Sequence, residues 1–98
     1  MHFKRYLEKA LLADVISMFK VAECYRWGEG TDKNLSEAFI WYKKVADTGD
    51  TMAMFKIAEC YYWGEGTDKN LSEAFVWYEK AAANGHEYSQ NKLKEMQR

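Results

Sequence analysis

Apolar residues recur along the chain at helical spacing, in short runs broken by polar stretches that carry glycine. Over residues 51–63, Met54, Ile57, Ala58 and Tyr61 fall at i, i+3, i+4 and i+7, which marks one face of an α-helix, and Asp50 stands where its N-cap belongs. Gly64 and Gly66 then allow the left-handed backbone that ends a helix, and a loop runs on through Thr67, Asp68 and Lys69. Asn70 with Glu73 three places later is a capping-box variant, worth about 1 kcal/mol at the cap. It opens a second helix with the apolar set Leu71, Ala74, Phe75, Tyr78, Ala81 and Ala82, closed by Gly85. The first of these is termed helix A and the second helix B.

The preceding stretch repeats the plan with Met18, Val21, Ala22 and Tyr25, then Asn34, Leu35, Ala38, Phe39, Tyr42 and Ala46. Shifting the sequence by 36 places lays 15–50 on 51–86 with 25 of 36 positions identical, unbroken from Trp27–Phe39 against Trp63–Phe75. A period of this length marks stacked supersecondary units that bury their apolar faces against one another. Tyr6 and Ala10 align with Tyr42 and Ala46, so 1–14 reads as a lone helix B; 87–98 reads as a lone, polar helix A that caps the stack. The pattern predicts an all-α, right-handed α-solenoid of about six antiparallel helices near 2–12, 15–27, 35–47, 51–63, 71–83 and 87–97. Residues 1–98 form one repeat domain in this reading.

Composition narrows the function. The 98 residues are 48% hydrophobic and 30% charged, and 14 basic residues balance 15 acidic ones, without the basic stripe that nucleic-acid binding requires. The longest apolar stretch near the start, Ala10–Ala13, is too short for a membrane span or signal-peptide core, which points to a cytoplasmic protein. Cys24 and Cys60 sit one period apart on successive equivalent helices. Packed helix axes stand about 8–10 Å apart, whereas disulfide Cα atoms approach to about 4.4–6.8 Å, so the two are read as small buried hydrophobes.

The set Ala53, Ile57, Ala58, Tyr61, Gly64, Gly66, Ala74, Trp77, Tyr78, Lys80, Ala81, Ala82 and Gly85, matched at nearly all corresponding sites of the first unit, resembles the Sel-one-like repeats, relatives of the tetratricopeptide repeats. The departure is Ala22 and Ala58, which stand where that family usually has Gly between helices A and B. The resemblance implies a scaffold or adaptor that grips another protein and has no common active site. Some bacterial members are immunity proteins that neutralise a toxin, and a cysteine-rich branch is linked to β-lactam binding, but the paired cysteines of that branch are missing from each unit here.

The candidate chemistry is outweighed by the repeat. Ser17-Met-Phe-Lys20 and Ser89-Gln-Asn-Lys92 have the Ser-x-x-Lys spacing of a serine nucleophile and lysine base, but the middle unit has Ala53 at that position, a demand for small size where helices pack. Asp68–Glu79 resembles a calcium loop but has Glu73 where the turn needs Gly, and Asn34 and Asn70 match the N-glycosylation string because they are caps. His2 and His86 are lone and are expected to be exposed. The sequence thus predicts no enzyme, cofactor or metal.

What remains is the wall that the tetratricopeptide arrangement would make concave. It comprises Ile16, Phe19, Glu23, Arg26 and Trp27, then Met52, Phe55, Glu59, Tyr62 and Trp63, then Tyr88, Asn91 and Glu95. Phe19, Glu23, Arg26, Trp27, Phe55, Glu59, Tyr62 and Trp63 are the candidate contacts to a partner protein or peptide, because Trp, Tyr and Arg dominate binding energy at interfaces. Self-association is the other possibility, with Phe3, Leu7 and Leu11 of the first helix facing a second copy.

Overall fold

The computed structural model describes residues 2–97. Six helices follow one another: α1 (Phe3–Ala10), α2 (Val15–Trp27), α3 (Leu35–Ala46), α4 (Thr51–Trp63), α5 (Leu71–Ala83) and α6 (Glu87–Met96). Every extensive helix–helix contact joins neighbours in sequence, so the chain is an α-solenoid measuring 44 × 23 × 17 Å.

Every helix start after α1 is set by a side chain. Asn34 and Asn70 accept the backbone N–H of Glu37 and Glu73 at 3.0 Å, and Asp50 accepts that of Ala53 at 3.1 Å. Helices α2 and α4 stop at Gly28 and Gly64, both left-handed, whose N–H groups bond the carbonyls of Cys24 and Cys60. The loop then folds back, with the N–H of Asn34 and Asn70 on the carbonyls of Tyr25 and Tyr61 at 2.8 and 2.9 Å.

Val21, Ala22, Ile57, Ala58, Tyr42 and Tyr78 are fully buried in one continuous core. Between units, Phe3 meets Tyr25 edge-on at 5.2 Å and Phe39 meets Tyr61 at 5.4 Å, the same contact one period apart. The next period would pair Phe75 with Gln97, and that end of the stack instead has an open groove lined by Tyr62, Leu71, Ser72, Phe75 and Met96.

The outer faces of the terminal helices are polar at core positions. His2, Arg5 and Lys9 replace Ala38, Trp41 and Val45 of the next helix B, while Gln90, Lys94 and Gln97 replace Met54, Ala58 and Tyr61 of the preceding helix A; all six are exposed. Phe3, expected to face a second copy, is half-buried against Tyr25, and Leu7 is half-buried; Leu11 and Leu12 are the exposed leucines of this corner.

Helix α1 ends at Ala10, short of the expected residue 12, because Ala13 takes φ 64° where the later units have Gly49 and Gly85 at 97° and 90°. A left-handed alanine costs about 1–2 kcal/mol, and a glycine adds back some unfolded-state entropy. Ala13→Gly is therefore expected to stabilise the fold by about 0.5–1 kcal/mol in urea unfolding. No gain would mean that this turn is not strained.

Candidate functional site on the helix A face

The eight candidate contacts divide into three kinds. Phe19 and Phe55 form a half-buried floor: Phe19 meets the buried Tyr42 ring at 5.6 Å, and Phe55 meets Tyr78 at 6.4 Å, His86 at 4.7 Å and Tyr88 at 5.3 Å. Glu23 and Glu59, also half-buried, accept hydrogen bonds from the hydroxyls of Tyr42 and Tyr78, nineteen residues further on in each unit. Burial first, then this bond to a carboxylate, holds both phenols well above the usual tyrosine range. These glutamates tie helix A to helix B, a role that the sequence reading missed. The available signal was their identity in both units, opposite an equally invariant tyrosine.

The third kind centres on two surface indoles, each with a half-buried neighbour. Trp27 and Trp63 are 61% and 60% exposed at the same repeat position. Arg26 lies beside the first, its guanidinium 5.1 Å from the Trp27 ring and its Nη1 on Glu65 of the next turn at 3.0 Å, while its buried Nε has no partner among the described residues. Tyr62 lies beside the second, edge-on to Trp63 at 4.8 Å, with the Lys92 ammonium 4.1 Å from the Tyr62 ring and 5.8 Å from Trp63. Ile16, Met52 and Tyr88 line the other end of the face as a row of exposed apolar side chains.

Ser17 and Ser89 are buried cap partners, their hydroxyls on Asp14 at 3.0 Å and on His86 at 2.7 Å. His86, expected to be exposed, is half-buried: its Nδ1 accepts the Ser89 N–H at 3.2 Å and its ring lies on Phe55. Cys24 and Cys60 are free and buried, and burial pushes the Cys60 thiol up to about 11. Among the described residues, no group of three or more His, Cys, Asp or Glu is placed to hold a metal, and no helix is long and apolar enough to cross a membrane.

The Sel1 repeat model matches the chain twice, over 15–50 and 51–86. The chain belongs to the Sel1 repeat family. Its solved relatives include a Sel1 repeat protein from Oxalobacter formigenes, 34% identical over 82% of this chain and 33% of that one, with a TM-score of 0.78. The protein c5321, a protective antigen present in uropathogenic Escherichia coli strains, is 28% identical and covers 98% of this chain with a TM-score of 0.92. Helicobacter pylori cysteine rich protein B shares the fold at 24% identity and a TM-score of 0.85 over 93% of this chain. This chain spans 33% and 21% of the first two relatives. No curated protein matches it. Sel1 repeats are in general protein-interaction modules.

Proposed function

We propose that the helix A face is a non-catalytic docking surface for a partner protein or peptide, with Trp27 and Trp63 as its anchors. Arg26 and Tyr62 flank these anchors, Phe19 and Phe55 supply the floor beneath, and Glu23 and Glu59 hold that floor to helix B. The observation that carries this reading is the exposure of two indoles at equivalent positions, 61% and 60%, in a chain that buries Trp41 and Trp77. An exposed aromatic strip rimmed by charged groups is the usual mark of a binding face. Arg26 and Tyr62 also occupy one of the eleven positions at which the two units differ, which gives the face chemical direction along its length.

The test compares wild type with Trp27→Ala/Trp63→Ala in affinity capture from the native host, read by mass spectrometry and then by titration of the captured protein. Both rings are mostly exposed, so stability should shift by no more than about 0.5 kcal/mol per site. Affinity should fall about 30-fold per anchor, the equivalent of about 2 kcal/mol. Equal capture by a folded double variant would remove the proposal.

A further inference from the structure

The three helix A caps differ in one respect. Asp14 and His86 each engage both polar groups of the serine three places on, its N–H and its hydroxyl. Asp50 faces Ala53, so its Oδ1 takes the N–H at 3.1 Å and its Oδ2 has no partner among the described residues. Beside Asp50 lies an open pocket of about 220 Å³ lined by Val15, Ile16, Phe19, Lys20 and Met52. One unit along, the chain fills the same place itself: Phe55, the counterpart of Phe19, has the rings of His86 and Tyr88 at 4.7 and 5.3 Å. The counterparts of those two rings are Asp50 and Met52. The first interface between units therefore has the phenylalanine floor without the rings that cover it in the second.

We infer that this pocket is the socket for one tyrosine side chain of the partner polypeptide, an assignment that rests on the docking role proposed above. The ring takes on Phe19 the place that Tyr88 takes on Phe55, and the hydroxyl donates to Asp50 Oδ2. The volume is below the roughly 300–1,000 Å³ of small-molecule sites, which suits a single side chain. Charge selects a neutral one. The rim carries one group of each sign, so an acidic side chain would meet the Asp50 carboxylate and a basic one the Lys20 ammonium. The pocket holds the repeat position equivalent to the seam that the chain's own aromatic rings occupy one unit further on.

Amide-resolved NMR titration with N-acetyl-tyrosinamide tests this, using N-acetyl-phenylalaninamide as comparator. Saturable shifts are expected within Val15–Lys20 and Asp50–Met52, with weaker binding of the phenylalanine compound. Met52→Tyr fills the socket from within and should weaken binding at least about tenfold. His86→Asp/Tyr88→Met takes both rings off Phe55 and should add a second set of shifts on Thr51–Lys56. Shifts centred elsewhere, full binding by Met52→Tyr, equal binding of the two probes, or no saturable binding would overturn the inference. The tryptophan variants report separately on the docking face, since neither Trp27 nor Trp63 lines this pocket.

Discussion

Gly66→Ala is expected to destabilise the fold by more than about 3 kcal/mol, a large part of the 5–15 kcal/mol typical of a small domain. A Cβ at Gly66 would lie 2.1 Å from the Leu35 carbonyl oxygen, 2.7 Å from its carbon and 3.1 Å from the Phe39 Cβ, and the first two are backbone atoms of α3 that cannot swing away. Lifting the turn would in addition break the 3.0 Å Glu65–Arg26 ion pair beside it. At φ +75° an alanine adds about 1–2 kcal/mol of left-handed strain to the overlap. Gly49→Ala is the control: φ is +97° and nothing lies within 4 Å of its Cβ, so it should cost only the backbone strain. Urea unfolding followed by circular dichroism separates the two. A Gly66→Ala cost equal to that of Gly49→Ala would mean that the turn does not bear on the neighbouring unit.

That contact also explains which parts of the molecule could be read from the sequence. Helical spacing, Asn and Asp caps and the 36-residue period are local signals, and they place all six helices to within about two residues. What depends on a neighbouring unit is not written locally. Leu35 and Leu71 occupy the same repeat position, yet Leu35 is half-buried against the Gly66 turn while Leu71 is exposed beside an open groove. Trp41 and Trp77 fall outside the apolar stripe read for helix B, yet both are buried, with Lys44 5.4 Å over one ring and Lys80 4.3 Å over the other. Each lysine sets its ammonium over an indole face, so a polar neighbour in sequence accompanies a buried aromatic.

The candidate face shows the same division. Its membership follows from spacing alone, but spacing cannot sort a side chain that is bonded inward from one that is free. Glu23 and Glu59 face the hydroxyls of Tyr42 and Tyr78 because helix B returns antiparallel at a fixed distance, a tertiary fact nineteen residues away in the chain. The tryptophans next to the helix A glycines have no such return partner and stay exposed.

The Tyr–Glu pairs make the fold sensitive to alkali. Tyr42 and Tyr78 are completely buried, and burial, followed by the bond to a carboxylate, raises the proton affinity of each phenol above that of an unfolded tyrosine near 10. A raised value means that the neutral form belongs to the folded state, so this contribution is complete below pH 10 and is lost as the pH rises beyond it. Each tyrosine then contributes a slope of about −1.4 kcal/mol per pH unit, and the pair about −2.7. Near pH 12 the two together remove about 5 kcal/mol, enough to unfold a domain of ordinary stability. Tyrosinate absorbance should therefore show two of the seven tyrosines ionising only as helical circular dichroism is lost. Tyr78→Phe sharpens the test because its effect changes sign. Losing a hydrogen bond to a charged acceptor costs about 1.5–3 kcal/mol at neutral pH, but the variant loses stability half as steeply above pH 10. Its stability curve should cross that of the wild type at about pH 11–12. Parallel curves, or early ionisation of all seven phenols in the folded protein, would show that the buried tyrosines do not hold their protons through the fold.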